Sequence, residues 1–250
     1  MYTNNNPKVS IIIACLNVEN TIKKTIKSII NQDYNNIEIV IIDGKSVDGT
    51  LSVLKSFENN IYKIVSEKDK SLGDAWNKGL LITTGEIIGI LNAGDYYDTN
   101  IISKVVSSFL NISRPVIGYG DTTFFDNDKI LKRSFSKKSF SKFSLLNGFP
   151  FMHPSVFFTK SIVENIGYFD INKKIAMDTD WLLRAKFNNV YFEKIPSHTF
   201  MELGGMSNVY QYTGMGEYLD SLVKYGISKY HIILFFIFRT LGSIKKLLKI

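Results

Sequence analysis

Cysteine is nearly absent from this chain: Cys15 is the single one among 250 residues. One thiol can form neither an internal disulfide nor a thiolate zinc cage, and cysteine this sparse is typical of a reducing compartment. The chain is polar at positions 3 to 6, so its start lacks the apolar stretch of a signal peptide. We therefore expect a cytoplasmic protein without a disulfide framework.

Several nucleotide-binding and hydrolytic motifs are absent as well. No G-x-G-x-x-G follows the first predicted strand, and no G-x-x-x-x-G-K-[ST] occurs in the chain. These absences argue against a dinucleotide-dependent oxidoreductase and against a P-loop enzyme. A G-x-S-x-G nucleophile elbow is also missing, which argues against an α/β-hydrolase.

The composition is that of a folded protein with an excess of positive charge. Hydrophobic residues make up 45% of the chain and aromatic residues 13%, so we expect one sizeable core and a flexible stretch only at residues 1–7. Thirty Lys and Arg residues against 23 Asp and Glu residues leave a net charge of +7. This charge favours an anionic partner such as a nucleotide, a nucleic acid or a phospholipid surface, without choosing among them.

Strands and helices alternate in the first part of the chain. Short β-branched apolar runs are typical of strands buried on both faces of a parallel sheet. Three such runs are VSIIIAC, IEIVIID and EIIGILN, and a fourth strand is predicted in IYKIVSEKD. Helical patterns cover Glu19 to Ile30, follow SVDGT and recur in LGDAWNKGLLIT. The alternation predicts an α/β fold with right-handed crossovers.

Polar residues follow each of these predicted strands. In open α/β sheets, ligands bind beyond the carboxyl ends of the strands. Ordinary turn and N-cap chemistry explains any one of these positions, but four in succession favour a shared ligand crevice. The positions are Asn17 and Glu19, then Asp43, then Ser66, Glu67 and Asp69, and finally Asn92 to Asp95.

The second half of the chain has a less regular pattern. PVIGYGD and KILKRSF predict a hairpin, and KKSFSKFSLLNGFPF predicts a basic, aromatic-rich loop over the site. HPSVFF at 153–158 and VYFEKI at 190–195 predict strands, and MDTDWLLRAKF at 177–187 predicts a helix start.

Five motifs in this order resemble those of the family 2 glycosyltransferases, which have the GT-A fold. They are the run from Val9 to Thr50, SEKDKSLGDAWNKGL, GEIIGILNAGDYYD, HPSVFF and MDTDWLLRA. The resemblance implies a Rossmann-like α/β fold, in which helices flank a mixed, mainly parallel central sheet. We accordingly expect a GT-A domain at residues 8–205 and a C-terminal helical extension at 206–250.

The resemblance also implies a reaction and a set of binding residues. Family members are inverting enzymes that use a nucleotide-diphosphate sugar, usually a UDP-sugar, with Mn²⁺ or Mg²⁺. Asn17, Glu19, Asp43 and Asp69 would border the nucleotide pocket, where Asp43 would contact the nucleoside. The alternative for Asp43 is a structural role at the start of the DGKSVDGT turn.

The stretch LNAGDYYD is similar to the metal loop of the family but departs from it. Asn92 and Gly94 stand where carboxylates often occur, so that Asp95 becomes the predicted metal ligand. Asn92 still offers a carbonyl oxygen to the bound donor. Mg²⁺ sites often combine one or two carboxylates with substrate oxygens. We therefore expect a metal loop with fewer protein ligands, which binds the cation weakly without the diphosphate. An ordinary turn is the alternative.

MDTDWLLRA is similar to the acidic motif near the acceptor, in which an Asp is the general base. Alignment on the motif gives this role to Asp178. Inversion requires a base beside the acceptor hydroxyl, opposite the leaving diphosphate. Asp180, two positions further along a helix, would point elsewhere. The alternative for Asp178 is an N-cap of that helix.

Four further positions are predicted to border the bound donor. His153 resembles a position near the diphosphate or the acceptor, and a purely structural role is equally open. Arg184 would approach a phosphate or, as we favour, pair with a carboxylate. Gly204 and Gly205 resemble a glycine-bearing loop at the end of the domain, where small residues allow close approach to the donor.

The tail at residues 230–250 predicts a helix at a membrane surface. Its first half has about a dozen apolar residues, which is short of the roughly 20 that a membrane-spanning helix needs. Packing on the domain or a dimer contact is the alternative. Drawn as a helix, the tail has Arg239, Gly242, Lys246 and Lys249 on one face and Ile237, Leu241, Ile244 and Leu248 on the other.

A peripheral position on the cytoplasmic face of the inner membrane agrees with the resemblance. Many bacterial members build O-antigen or other surface polysaccharide on a polyprenyl-diphosphate carrier, so a lipid-linked glycan is the acceptor that the resemblance implies. The thinned NAGD loop leaves open a non-catalytic nucleotide-sugar or glycan-binding module. A basic nucleic-acid binder is a third hypothesis, but acidic strand ends repel phosphate backbones, so we expect no nucleic-acid partner.

Overall fold

The computed structural model describes residues 5–127 and 129–237. Residues 1–4 and the tail from 238 onwards, where most of the predicted amphipathic helix falls, lie outside the described residues. Within the predicted flexible N-terminus, Pro7 is buried and its carbonyl accepts a hydrogen bond from Tyr34 Oη at 2.7 Å. No helix in the described ranges has both the length and the hydrophobicity needed to cross a bilayer.

A nine-stranded mixed sheet forms the centre of the described residues, in the order β3-β2-β1-β4-β8-β6-β9-β5, with β7 paired to β6. The strands are β1 (Val9–Cys15), β2 (Ile37–Asp43), β3 (Lys63–Ser66), β4 (Ile87–Asn92), β5 (Tyr96–Tyr97), β6 (Val116–Asp126), β7 (Lys129–Ser134), β8 (Phe157–Thr159) and β9 (Tyr191–Glu202). The helices are α1 (Ile22–Ile30), α2 (Thr50–Lys55), α3 (Leu72–Ile82), α4 (Ile101–Leu110), α5 (Ser161–Ile166), α6 (Met177–Phe187), α7 (Met206–Val209) and α8 (Gln211–Lys224), and residues 229–237 are also helical.

The sheet has a parallel part and a mixed part. Strands β3, β2, β1 and β4 are parallel to one another, and β8 then lies antiparallel between β4 and β6. Strand β9 is parallel to β6, whereas β5 and β7 are antiparallel to their partners. The prediction of an α/β fold with a mixed, mainly parallel sheet between helices is confirmed.

Two apolar layers cover the sheet because side chains alternate along each strand. In β1, Ile12 packs with α3, α5 and α6 on one face, whereas Ile11 and Ile13 pack with α1, α2 and α4 on the other. Helix α3 approaches the sheet very closely at Gly79. A Cβ there would lie 2.4 Å from Ile12 Cγ2, so a larger residue would push the helix away.

A third apolar cluster joins the C-terminal helices to the rest of the protein. Leu222 of α8 and Ile232 of the last helix pack with Leu183 of α6 and Leu145. The predicted division at residue 205 stays a prediction, but the described residues on its two sides share this core.

Two predicted strands differ from the structure in extent. The HPSVFF segment begins with a 3₁₀ turn at His153–Ser155, and β8 starts only at Phe157, because Pro154 has no N–H for a strand ladder. Strand β9 continues past the predicted end at 195 to Glu202. Its register against β6 shifts between Tyr119 and Asp121, and this bulge accommodates Pro196.

The predicted hairpin is confirmed, because β6 and β7 are antiparallel neighbours. The basic, aromatic-rich loop that follows it contains a 3₁₀ turn at Phe143–Asn147. Its aromatic residues form a cluster: the ring of Phe151 stacks on Tyr119 at 4.2 Å between centroids, and Phe140 meets Phe192 edge-on at 5.3 Å.

Candidate active site

The carboxyl ends of the four parallel strands meet at one edge of the sheet. Asp43 at the end of β2 is in register with Cys15 of β1 and with Ser66 of β3, and Ala14 of β1 is in register with Asn92 of β4. The sheet therefore brings the predicted polar strand ends together. We refer to Asn17, Glu19, Asp43 and Asp69 as the strand-end cluster.

Asp43 is fully buried and holds the turn that follows β2. Its carboxylate accepts hydrogen bonds from Ser46 N at 3.1 Å, from Ser46 Oγ at 2.5 Å and from Ser66 Oγ at 2.6 Å. The Cys15 thiol, 3.8 Å away, is also buried, and burial and the neighbouring carboxylate raise its pKa well above the usual range. Asp43 thus has the structural role at the DGKSVDGT turn, and its contact with a nucleoside stays a prediction.

Asn17 and Glu19 connect the loop after β1 to the loop after β2. Asn17, at φ +52°, accepts a hydrogen bond on Oδ1 from Val47 N at 2.9 Å. Glu19 accepts one on Oε2 from Gly49 N at 2.6 Å. Both side chains are exposed, so these bonds fix the loop while they leave polar atoms at the rim of the crevice.

Asp69 lies over the start of the same turn. Its Oδ2 atom is 3.1 Å from the position that a Cβ of Gly44 would occupy. Its Oδ1 atom accepts a hydrogen bond from Lys78 Nζ of α3 at 2.7 Å, and Lys78 also pairs with Glu67 at 2.9 Å. Burial opposes the charge on Lys78, but the hydrogen bonds that Lys78 donates to Asp69 and Glu67 outweigh it and raise the pKa of Lys78.

The NAGD turn after β4 is held by the end of β9. Asp95 is 6% exposed, and its Oδ1 atom accepts a hydrogen bond from Glu202 N at 3.0 Å. The Glu202 carboxylate lies over Gly94, where a Cβ would be 2.6 Å from Oε2. Gly94 has φ +105°, a conformation that favours glycine. Burial raises the pKa of Asp95 to about 7, and the nearby Glu202 charge adds to this effect.

The donor atoms at this turn fit a divalent cation only as an incomplete set. Asn92 Oδ1 is buried and has no hydrogen-bond partner among the described residues, so it is a hard oxygen ready to accept a contact. One oxygen of Asp95 is occupied by the backbone of β9. Within the described part of the chain, no three His, Cys, Asp or Glu side chains form a group that could hold a metal ion. A cation here would need oxygens from the substrate.

Asp178 and His153 meet at a small cavity on the other side of β4. The cavity is lined by Ile90, His153, Asp178, Trp181 and four further residues, Val156, Phe158, Phe169 and Leu182, and we refer to it as the α6 cavity. The His153 ring stacks on Trp76 at 4.5 Å between centroids and 10° between planes. Burial lowers the pKa of His153 to about 4, so the imidazole is neutral at pH 7.

Asp178 is the second residue of α6, and the N-cap position belongs to Ala176. The alternative of Asp178 as the N-cap is therefore wrong. The Asp178 carboxylate accepts a hydrogen bond from Thr179 N at 2.7 Å. No cation of the described ranges lies within ion-pair distance of it, and its apolar surroundings raise its pKa to about 6.

Asp180 and Arg184 lie on the same helix but have structural partners. Asp180 is fully buried and accepts hydrogen bonds from Ser221 Oγ at 2.8 Å and from Tyr225 Oη at 3.2 Å. Arg184 pairs with Asp180 at 3.3 Å and donates to the carbonyl of Ile166 at 2.7 Å. The structure thus gives Arg184 the ion pair that we favoured and does not bring it to the strand-end cluster.

Gly204 and Gly205 follow β9 directly after Glu202 and Leu203. Gly204 has φ +95°, and no described atom comes within 4 Å of a Cβ built on either glycine. The contact of Glu202 with Gly94 places this loop next to the NAGD turn. The contact of both glycines with the donor stays a prediction.

Ser46, Lys78 and Glu202 also shape the site, and sequence reasoning missed them, whereas Ser66 was among the predicted polar strand ends. Ser46 lies three residues after Asp43, where a search for partners of Asp43 in the turn would have found it. Lys78 follows Asp74 by four residues, a spacing at which side chains on a helix meet. Glu202 has no local signal, because its contact with Gly94 depends on the pairing of β9.

Comparison with known proteins shows the family of the chain. The model of glycosyl transferase family 2 matches residues 10–167. The chain belongs to this family. The predictions of a family 2 member and of a hexosyltransferase are therefore confirmed.

Two curated relatives come from different bacteria and have different names. A PGL/p-HBAD biosynthesis glycosyltransferase of Mycobacterium bovis is 27% identical over 221 residues, which are 81% of this chain and 80% of the relative. An Escherichia coli protein, the UDP-Glc:alpha-D-GlcNAc-diphosphoundecaprenol beta-1,3-glucosyltransferase WfaP, is 33% identical over 129 residues, 51% of each chain.

The fold is shared with a solved glycosyltransferase structure. Staphylococcus aureus TarS, residues 1–349 in complex with UDP-GlcNAc, superposes with a TM-score of 0.68 at 18% identity, over 90% of this chain and 69% of TarS. The GT-A fold predicted from the sequence is confirmed.

Proposed function

We propose that this family 2 enzyme transfers a hexose, with inversion, from a UDP-sugar to a hydroxyl of a polyprenyl-diphosphate-linked glycan, with Asp178 as the general base. The observation that carries the proposal is the α6 cavity, where Asp178 has mainly apolar surroundings and where no cation of residues 5–127 or 129–237 lies within ion-pair distance of it. A carboxylate in such surroundings is a stronger base than an exposed one.

Asp178 takes the proton of the acceptor hydroxyl in this mechanism. As the acceptor oxygen bonds to the anomeric carbon, the bond from that carbon to the diphosphate breaks and UDP leaves. The pKa of about 6 means that Asp178 is mostly ionised at pH 7 and still binds the proton more tightly than an ordinary Asp. His153, neutral and fixed by its stacking on Trp76, borders the acceptor without neutralising Asp178.

The strand-end cluster and Asn92 would bind the donor. Asp43 and Asn17 shape the loops over which the uridine lies, and Asn92 Oδ1 is a buried acceptor available to a sugar or ribose hydroxyl. The shared fold of TarS, solved with UDP-GlcNAc, supports a UDP-sugar as donor. Gly204 and Gly205 allow the loop after β9 to approach the diphosphate.

A divalent cation, Mn²⁺ or Mg²⁺, would be held at the NAGD turn by Asp95 together with oxygens of the diphosphate. Such a cation neutralises charge that develops on the leaving diphosphate. The incomplete donor set predicts weak binding of the cation without nucleotide, since most of its ligands then come from water.

A lipid-linked acceptor and a peripheral position on the cytoplasmic face of the inner membrane complete the proposal. WfaP, by its name, acts on an acceptor linked to diphosphoundecaprenol. The net charge of +7 and the exposed apolar side chains of Tyr230, Ile233 and Ile237 on the last described helix suit an anionic membrane surface.

The stereochemistry of the product tests this proposal. Purified protein would be incubated with UDP-glucose or UDP-GlcNAc, Mn²⁺ and an undecaprenyl-diphosphate-linked GlcNAc, and the anomeric proton coupling of the product would be read by NMR. We expect a β-linked product from the α-linked donor. An α-linked product would contradict inversion by Asp178.

A non-catalytic nucleotide-sugar or glycan-binding module is the second candidate function. It is favoured by the NAGD turn, where Gly94 offers no side chain and Asp95 is hydrogen-bonded to the backbone of Glu202. This candidate predicts UDP-sugar binding without turnover of any donor, either to an acceptor or to water. Measurable release of UDP by the pure protein would exclude it.

A further inference from the structure

The backbone that leads into α6 is held by a carboxylate from another helix. Glu217 of α8 accepts hydrogen bonds from Lys174 N at 2.8 Å, from Ile175 N at 3.0 Å and from Ala176 N at 2.9 Å. Successive backbone N–H groups that converge on one anion form a strong binding nest. Glu217 therefore anchors the segment that ends two residues before Asp178.

A second contact attaches α8 to α6 just after Asp178. Ser221 Oγ and Tyr225 Oη donate to the two oxygens of the buried Asp180, at 2.8 and 3.2 Å. The nest at residues 174–176 precedes Asp178 in the chain, and the bonds to Asp180 follow it. Helix α8 thus contacts α6 and the segment before it on both sides of the residue from which the Asp178 carboxylate projects.

The packing between the two segments is tight as well. A Cβ on Gly214, at the start of α8, would lie 2.8 Å from Ile175 Cγ2. Lys173 Nζ donates to the backbone carbonyl of Glu217 at 3.1 Å. The segment before α6 is therefore in direct contact with α8 through side chains as well as through the nest.

The three N–H groups stabilise the charged form of Glu217. Burial alone would raise the pKa of Glu217, but hydrogen bonds from Ala176, Lys174 and Ile175 outweigh it and lower the pKa below its usual range. The carboxylate is therefore ionised at neutral pH, and its hydrogen bonds are of the charge-assisted kind, which are stronger than those between neutral groups.

We propose that Glu217 is a positioning residue for glycosyl transfer, which aligns Asp178 with the acceptor hydroxyl through the backbone of residues 174–176. This inference rests on the proposed role of Asp178 as the base. In-line attack is sensitive to the placement of the base, and a misplacement of about 1 Å costs about 10²-fold in rate. Helix α8 then contributes to catalysis, because it holds the segment that places Asp178.

Glu217→Gln tests the proposal, because it keeps the size of the side chain and removes its charge. The NH₂ group of the Gln side chain is a donor, and it would face backbone N–H groups of residues 174–176, which need an acceptor. We expect kcat to fall by about 10- to 100-fold, with the donor KM and the UDP affinity within about twofold of wild type. The matched control is Asp220→Asn on the exposed side of the same helix, which we expect to leave kcat unchanged.

Glu217→Asp is the conservative variant and the second test. It keeps the charge on a shorter side chain, so we expect a kcat between those of wild type and Glu217→Gln. The same kcat, donor KM and UDP affinity are measured for this variant, and it tests the positioning role if Glu217→Gln does not fold. A wild-type kcat in the folded variant would overturn the proposal, and so would a parallel loss of kcat, UDP affinity and thermal stability, which indicates a general structural role.

Asp178→Asn separates this inference from the proposed function. If Asp178→Asn transfers sugar at the wild-type rate, the base assignment fails, and the positioning role fails with it. If Asp178→Asn is inactive and Glu217→Gln is fully active, only the positioning role fails. The double variant should show the kcat of Asp178→Asn alone, because a misplaced base matters only while the base is present. A further loss in the double variant would contradict the proposal.

Discussion

At the strand-end cluster, carboxylates are hydrogen-bonded to the protein itself, whereas Asp178 in the α6 cavity faces apolar side chains. Asp43 binds Ser46 and Ser66, and Asp69 binds Lys78, so that these two carboxylates hold loops in place. Burial among mainly apolar side chains raises the pKa of Asp178 to about 6. The difference teaches that acidic residues of one domain have two kinds of role, which depend on the groups around each carboxylate.

Asp178→Asn should have the largest effect on activity. We expect kcat to fall by about 10³-fold, since the amide cannot accept the proton of the acceptor, while UDP affinity stays within about twofold. Turnover assays and calorimetry with UDP measure the two quantities. If UDP affinity fell together with kcat, Asp178 would belong with the donor-binding residues and the comparison between the two sites would fail.

Asp43→Ala should have the largest effect on stability. The substitution leaves the buried Ser46 N without its acceptor and also removes the hydrogen bond from Ser66 Oγ, which together cost about 3 kcal/mol of unfolding free energy. Ser66→Ala, which removes one donor only, should cost about 1 kcal/mol. Chemical denaturation measures both values. A stable Asp43→Ala variant that loses only UDP binding would show that Asp43 serves the nucleotide more than the turn.

Asp95→Asn should increase stability above neutral pH. The folded state binds the Asp95 proton more tightly than the unfolded chain does, so ionisation disfavours folding as the pH rises from about 4 to about 7. The amide keeps an acceptor for Glu202 N and cannot ionise. We expect a gain of about 2 kcal/mol at pH 8 and little change at pH 4. Destabilisation at pH 8 would contradict this account of the turn.

The same variant tests the predicted metal loop. If Asp95 holds a cation against the diphosphate, the gain in UDP affinity on addition of Mn²⁺ should shrink in Asp95→Asn. Removal of metal with EDTA should then weaken UDP binding in the wild type and have less effect in the variant. An equal effect of Mn²⁺ on both proteins would assign Asp95 to the turn alone.

Lys78→Met should have the smallest effect. It removes the ion pairs of Lys78 with Asp69, Glu67 and Asp74 at the edge of the crevice, and partly exposed pairs of this kind contribute about 1 kcal/mol or less each. We expect a small loss of stability, which becomes smaller still in high salt, and a kcat close to wild type. A loss of activity as large as that of Asp178→Asn would mean that the charge of Asp69 has a part in the reaction.

The parallel part of the sheet was predictable from local pattern. Strands β1 and β2 lie where their β-branched runs predict, and β4 begins one residue later than predicted, at Ile87. A strand buried on both faces must be apolar throughout, so its sequence is distinctive. General rules for α/β sheets then predicted that the polar residues after these strands meet at one edge of the sheet.

The remaining features depend on contacts between distant parts of the chain. Glu202 lies against Gly94 because a bulge lets β9 continue past Pro196, and no local pattern indicates this. Glu217 reaches residues 174–176 from α8 only after both helices have packed. Asp178 was found by motif, but its raised pKa follows from the side chains of other elements that surround it.

The pH dependence of kcat tests the central claim most directly. The rate would be measured between about pH 4.5 and about pH 8 with saturating donor and acceptor. If Asp178 is a base with a raised pKa, kcat should be constant above about pH 7 and should fall about tenfold per pH unit below about pH 6, because protonated Asp178 cannot accept the acceptor proton. A kcat that stays constant down to pH 4.5 would contradict a raised pKa at Asp178, and with it the distinction between the two sites.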